Sequence, residues 1–270
     1  MTYSGTSQQA TQELLFFYGF AILGTYLIWG SLALHQRKII SWKPPSAFLH
    51  LGGNFPLFGS LLFTFLAGGF AGLSNFIANF YSLIDYHWFN ISVFISMLLV
   101  FLGVLLSKVS FIGKKPEFEK LEAKHFAILI FAFVFCMIAI VGEEAGWRGY
   151  ALPRLLFLFD GDLLIPSIIS GTIWALWHLP IFYWDEYPLV VKGYQSSDVI
   201  KNMIYYSLGL SSVSYLMAYV YTHTNGSGIC MLAIHSSINA TTAALGVKNL
   251  NNLFLNIFIV SIPVLYQLTV

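Results

Sequence analysis

The chain has 270 residues, of which 57% are hydrophobic and only 9% are charged. Soluble domains carry about 25% charged residues, so this composition excludes an ordinary soluble protein and predicts an integral membrane protein. The net charge is +1, and no basic cluster is dense enough to indicate nucleic-acid binding.

Apolar runs long enough to cross a membrane follow one another along the whole chain. A membrane-spanning helix needs about 20 mostly apolar residues, and by that criterion the sequence contains about eight such helices. They are predicted at residues 14–34, 55–83, 88–107, 125–158, 163–184, 202–222, 228–246 and 251–269. The predicted fold is all-α: a polytopic membrane helix bundle of about eight transmembrane helices with a central polar cavity. We expect residues 1–270 to form a single membrane domain.

The basic residues indicate an orientation. Every Lys and Arg except Arg148 and Arg154 falls in connections that would lie on one side of this bundle. The positive-inside rule places that side in the cytoplasm and both termini outside. The membrane would be the cell membrane in a prokaryote and the endoplasmic reticulum in a eukaryote.

Small residues inside the apolar runs are expected to serve packing. The Gly-Gly-Phe-Ala-Gly stretch at residues 68–72, and Gly142 together with Gly146, have the spacing that lets helices approach closely. Cys136 and Cys230 also lie inside apolar runs. We therefore expect them to be small core residues and not a disulfide.

A charged stretch, Gly-Glu-Glu-Ala-Gly-Trp-Arg-Gly-Tyr at residues 142–150, interrupts the long run at 125–158 and is predicted to break that helix. Ionisable groups at hydrocarbon depth are costly, so by default they are functional or paired with each other. Glu144 and Arg148 are four residues apart, which predicts an ion pair on one helix face. Glu143 is turned about 100° away and does not need that partner. One carboxylate is then free for chemistry; the alternative is a charged helix end at the lipid headgroups.

Two further helices carry polar residues that do not belong in lipid. Trp174 and His178 lie late in the predicted helix at 163–184, and His235 and Asn239 lie four apart on one face of the helix at 228–246. Taken singly, such residues are commonly core or interhelical hydrogen-bonding groups. Together with the charged stretch they bring carboxylates, an arginine, imidazoles and an amide from three helices toward one interior site.

These residues resemble the motifs of a known family. Residues 143–148 match the EExxxR motif of the CPBP family, which comprises the CAAX proteases and bacteriocin-processing enzymes and is also called the Abi family. Residues 174–178 resemble its [FW]xxxH motif, and residues 235–239 resemble its HxxxN motif. The order and helical placement agree with the family, and the resemblance covers a motif-bearing core at approximately 125–246.

The resemblance implies an intramembrane glutamate endopeptidase of the type 2 CAAX prenyl protease kind. Peptide hydrolysis needs a base that activates water and donors that hold the developing oxyanion. On this hypothesis Glu143 is the base, His178 helps to position the water, and His235 and Asn239 donate to the oxyanion.

In the same hypothesis the remaining motif residues support the site. Glu144 and Arg148 form the buried pair at the helix break, and Trp174 has a supporting role. Ala145 and Gly146 would leave room for a substrate backbone. We expect a peptide or a prenylated protein as the substrate partner, in addition to the lipid bilayer. No cofactor is expected.

A zinc site is the nearest alternative among enzymes, because carboxylates and histidines are zinc ligands in many proteases. Against it, the histidines do not have the HExxH spacing, and the positive Arg148 beside the carboxylates disfavours a cation. No metal ligand is therefore predicted.

A second alternative is a non-hydrolytic membrane protein, either a transporter or a scaffold or immunity protein that uses the same polar cluster. Intramembrane Glu, Arg and His also mark proton relays and substrate paths. Transporters commonly show inverted repeats, which this sequence lacks. The complete set of motif residues favours an active enzyme. The sequence does not indicate the substrate, the oligomeric state or the side to which the cavity opens.

Overall fold

The computed structural model describes residues 3–82, 86–109, 122–184, 196–247 and 250–269. Within these ranges the chain is almost entirely helical, and no β-strand is present. The elements in chain order are α1 (Ser7–Gln36), α2 (Phe48–Gly53), α3 (Phe55–Phe80), α4 (Tyr86–Val109), α5 (Ala123–Ala139), α6 (Val141–Glu144), a π-helical segment (Ala145–Ala151), α7 (Leu152–Leu158), α8 (Leu164–Trp177), a 3-10 helix (Leu179–Tyr183), α9 (Ser196–His223), α10 (Gly228–Ala244) and α11 (Leu250–Thr269).

The predicted fold class, an all-helical polytopic membrane protein, is confirmed. By length and composition four helices of the described ranges could cross a membrane, and a fifth is added if the bent pair Ala123–Ala139 and Val141–Leu158 counts as one span. The number eight is not confirmed. Three predicted spans are not among them. α9 and α10 carry many Ser, Thr, Asn and His residues, α10 has only 17 residues, and the apolar part of α11 within the described residues, Leu253–Ile262, is short. The short helix α2 was not predicted.

The long apolar run at 125–158 is broken, as its charged motif predicts. α5 ends at Ala139, Ile140 leaves the helical conformation with φ −96° and ψ 4°, and the two halves meet at a bend of 47°. The chain then continues through α6 into the π-helical segment. Pro153 follows in the first turn of α7 and has no N–H to donate, so the hydrogen-bonding register changes before it. Arg148 therefore lies on the π-helical segment, and both glutamates lie on the short helix α6 between that segment and the bend. Such π-helical interruptions are frequent at functional sites.

Hydrogen bonds tie α1 to its neighbours deep in the bundle. Trp177 Nε1 donates to Thr25 Oγ1 at 2.7 Å, and Thr25 Oγ1 donates to the Gly52 carbonyl at 2.8 Å. Trp29 Nε1 donates to the Leu49 carbonyl at 2.8 Å. These bonds join α1 to α2 and to the end of α8, and they place His178, the residue that follows α8. Beyond them, α10 packs against α4 and α5, and α9 packs against α8 and α11.

Arg154 is one of the two basic residues that lie outside the connections on the predicted cytoplasmic side, and it forms an ion pair with Glu13. Its Nε lies 2.6 Å from Glu13 Oε2, its Nη1 donates to the Tyr150 carbonyl at 2.7 Å, and its guanidinium stands 3.5 Å from the centre of the Tyr150 ring. The side chains of both charged partners are largely buried. Arg154 thus fastens α7 to α1, so its position follows from packing and not from membrane orientation.

Gly142 and Gly146 allow the broken helix to approach the start of α3. A Cβ at Gly146 would lie 2.7 Å from the backbone of Pro56, and a Cβ at Gly142 would overlap the side chain of Asn54. The predicted close packing is present. However, α3 fills the space beside Gly146, so the prediction that this residue leaves room for a substrate backbone is wrong. At residues 68–72 the structure differs too: Gly69 has φ +58° and kinks α3, and a Cβ at Gly68 would meet nothing within 4 Å.

We expect Gly146→Ala to lower the free energy of unfolding by about 1–3 kcal/mol, the usual cost of overpacking a close contact. The reason is that Pro56 offers backbone atoms, which cannot move aside as a flexible side chain could. Gly68→Ala is the matched control, because it adds the same methyl group to open space and improves helix propensity. Thermal unfolding in detergent measures both variants. Equal stability of the two would contradict the close contact.

Candidate functional site

The broken helix, α8 and α10 bring the motif residues into one buried cluster. The exposed fraction is 0% for Glu144, 2% for Arg148, 3% for Trp174, 5% for His178 and 8% for His235. Glu143 and Asn239 are half-buried. Polar groups at such depth are tolerated only when they have partners, so their contacts define the site.

Glu144 has two partners of its own. Arg148 Nη1 lies 3.3 Å from Glu144 Oε1, as the spacing of four residues predicts, and His235 Nδ1 lies 2.8 Å from the same oxygen. A carboxylate only accepts hydrogen bonds, so the imidazole donates through Nδ1 and leaves Nε2 for another partner. Glu144 therefore couples the broken helix to α10 and orients the His235 ring.

Glu143 has a different environment. Its Oε2 accepts a hydrogen bond of 3.0 Å from Trp174 Nε1, and its charge is also close to His235. Glu144 takes the direct contact with Arg148, so the two adjacent carboxylates are inequivalent. A carboxylate that receives one indole N–H keeps acceptor capacity on its second oxygen.

Trp174 lies at the centre of the cluster. Besides the bond to Glu143, its ring is 4.1 Å from the Arg148 guanidinium carbon and 5.0 Å from the His235 ring, which it meets edge to face. An indole can hold a cation on its face and a carboxylate at its N–H at the same time. One side chain of α8 therefore fixes groups on the broken helix and on α10.

His178 is held by its backbone neighbour and by aromatic rings. Its Nδ1 is 2.8 Å from the Trp174 carbonyl; a carbonyl only accepts, so Nδ1 carries a proton. In the neutral ring, Nε2 then has a free lone pair that can accept a hydrogen bond. The rings of Trp177, Tyr206 and Trp29 lie 4.6, 5.3 and 6.0 Å from the imidazole and restrict its rotation.

Asn239 lies one turn beyond His235 on α10, where its side chain contacts the thiol of Cys136 on α5. Glu143 lies near the same thiol. Cys136 and Cys230 are not joined in a disulfide, in keeping with the expectation. Cys136 was expected to be only a core residue, and its contact with Asn239 was not anticipated.

In the described residues, no three His, Cys, Asp or Glu side chains lie close enough together to hold a metal ion. Four cavities of about 210 to 510 Å³ lie between helices, and none of the four is lined by Glu143, His178 or His235. The predicted central polar cavity above the carboxylates stays a prediction.

Sequence reasoning did not identify Ser214. This residue of α9 has an exposed fraction of 2% and accepts a hydrogen bond of 3.3 Å from Arg148 Nη2. No motif marks it, because α9 carries several serines and a sequence does not show which of them faces Arg148. The only signal available was that a membrane helix with many hydroxyl groups needs polar neighbours.

The fold and the cluster define a class: an integral membrane protein whose helices enclose two carboxylates, an arginine, two imidazoles and an amide. Residues 125–241 match the model of the family described as type II CAAX prenyl endopeptidase, Rce1-like. This motif-bearing region, less than half of the chain, is similar to that family, and the resemblance that its three motifs indicated is confirmed. All seven motif residues named above lie inside the matched range.

A curated relative agrees with the family. The protein named CAAX prenyl protease 2 from Methanococcus maripaludis is 31% identical to this chain over 117 residues. That match covers 43% of this chain and 40% of the relative, so the similarity spans less than half of either protein.

Proposed function

We propose that this protein is an intramembrane glutamate endopeptidase that hydrolyses peptide bonds of membrane-associated substrates. The observation that carries the proposal is the inequivalence of the two adjacent carboxylates. Glu144 is neutralised by Arg148 and oriented against His235, whereas Glu143 receives a single hydrogen bond from Trp174. A general base needs a carboxylate that is held in place but not neutralised, and Glu143 fits this description.

In the proposed reaction a water molecule is held between Glu143 and His178. The water donates one hydrogen bond to the carboxylate and one to Nε2 of His178, whose Nδ1 is committed to the Trp174 carbonyl. Glu143 takes a proton as the water oxygen forms a bond to the scissile carbonyl carbon. The same proton is delivered to the amine nitrogen when the C–N bond breaks, so Glu143 ends as a carboxylate.

The negative charge that develops on the carbonyl oxygen is assigned to His235 and Asn239. His235 can donate through Nε2 when its ring is protonated, while the Glu144 carboxylate accepts the N–H of Nδ1. The Asn239 amide would supply the second donor from the next turn of α10. No cofactor or metal is part of this mechanism.

The similarity to the family and the membrane location support a class of substrate. Prenylated proteins of the CAAX type are the first candidates, since the relative is named as a CAAX prenyl protease. Other membrane-associated peptides are the alternative in a cell that does not prenylate proteins. The lipid bilayer is the second partner in either case.

The proposal is tested by cleavage of a quenched fluorescent peptide library, including farnesylated CAAX peptides, by purified protein in detergent with and without a chelator. We expect cleavage that is indifferent to the chelator. Loss of cleavage with the chelator and its recovery with zinc would overturn the glutamate mechanism in favour of a zinc protease. A folded protein that cleaves no peptide would favour the transporter or scaffold alternative.

A further inference from the structure

We infer that Ser214 is a positioning residue of the site, which holds Arg148 in the orientation that the Glu144–His235 pair requires. This inference rests on the proposed function. It adds α9 to a site that the family motifs confine to the broken helix, α8 and α10.

The guanidinium of Arg148 is held from three directions. Nη1 reaches Glu144 at 3.3 Å, Nη2 reaches Ser214 Oγ at 3.3 Å, and the carbon between them lies 4.1 Å from the centre of the Trp174 ring. The contact with the Trp174 ring limits the position of the guanidinium carbon but does not by itself determine the direction of the N–H groups. Rotation is limited by the two hydrogen bonds, which leave from different nitrogens. Ser214 therefore provides the second of the two points that fix the plane.

The contact continues into the reacting part of the site. Arg148 is bonded to Glu144 Oε1, and the same oxygen is 2.8 Å from His235 Nδ1. A hydrogen-bonded path thus runs from Ser214 through Arg148 and Glu144 to the imidazole that is assigned to the oxyanion. The exposed fraction of Arg148 is 2%, so bulk water cannot replace the Ser214 hydroxyl if that hydroxyl is removed. The charged N–H group is then left without an acceptor, which is unfavourable. The most accessible response is a rotation of the guanidinium, which displaces Glu144 and the His235 ring.

Ser212 shows that this role is specific to one hydroxyl of α9. It is also buried, with an exposed fraction of 4%, but its Oγ donates to the Leu208 carbonyl of its own helix at 3.3 Å. Ser212→Ala removes a buried hydroxyl two residues away on the same helix without touching Arg148. It is therefore the matched control for Ser214→Ala.

The kinetic test measures kcat and KM for Ser214→Ala, Ser214→Thr and Ser212→Ala on a peptide that the wild type cleaves. We expect Ser214→Ala to lower kcat about tenfold, the equivalent of one hydrogen bond to a charged group, with KM unchanged within about a factor of two. Ser214→Thr keeps the hydroxyl and should recover most of kcat. Ser212→Ala should match the wild type. Equal kcat values for the two alanine variants would overturn the inference.

A second measurement needs no activity and separates this inference from the proposed function. Ser214→Ala is combined with Arg148→Lys, whose ammonium can still meet Glu144 but lacks the fork that reaches Ser214 as well. We expect Ser214→Ala to lower the melting temperature by about 2–4 °C in the wild type and by less than half of that beside Arg148→Lys. Equal shifts in both backgrounds would show that Ser214 does not act through Arg148. A wild type that cleaves nothing would instead refute the proposed function, while this cycle still decides the role of Ser214.

Discussion

Replacing Glu143 with glutamine is expected to reduce kcat by about 10²–10⁴-fold, the contribution of a general base. The amide oxygen of glutamine can still accept the Trp174 N–H, so the local structure survives while the group that takes the proton from water is removed. The measurement is kcat on a peptide that the wild type cleaves, with the melting temperature recorded for the same preparations.

Glu122→Gln is the control for the Glu143 variant. Glu122 caps the start of α5 at the surface through a hydrogen bond that a glutamine also accepts, and its side chain is 58% exposed. It makes the same chemical change away from the cluster and should leave cleavage intact. If Glu143→Gln cleaves as well as this control does, Glu143 is not the base and the proposed mechanism falls.

Replacing Arg148 with methionine is expected to lower the free energy of unfolding by about 3–5 kcal/mol, because it leaves the Glu144 charge buried without its cation. Glu144 has an exposed fraction of 0%, so water cannot take the place of the guanidinium. Thermal or denaturant unfolding in detergent measures the loss. Arg37→Met, at an exposed position after α1, makes the same substitution on the surface and should change stability by no more than about 0.5 kcal/mol.

The double variant Glu144→Gln/Arg148→Met tests the cause of that loss. A glutamine carries no charge, so the penalty of an unpaired carboxylate disappears and part of the lost stability should return. An equally unstable double variant would show that Arg148 acts through its packing on Trp174 and not through the charge of Glu144.

Several features of this protein could be derived from its sequence because they depend on neighbours along the chain. Membrane location and helical structure follow from apolar runs, which need only the hydrophobicity of consecutive residues. The Glu144–Arg148 contact follows from a spacing of four on a helix, and the close approach at Gly142 and Gly146 follows from the absence of side chains. The number of membrane-spanning helices did not follow, because α9 and α10 gain their place in the bundle by packing and not by hydropathy.

Only the tertiary structure decided which groups meet across helices. That Trp174 holds Glu143 while His235 joins Glu144 depends on how α8 and α10 rotate against the broken helix, and helical periodicity does not determine that rotation. The same packing determines which serine of α9 contacts Arg148, and that serine is Ser214. The sequence by itself determined which residues are the candidates for the chemistry. The long-range contacts determined that Glu143 is bonded to an indole and Glu144 to an imidazole, and the energy of a buried charge depends on the partners that folding brings to it.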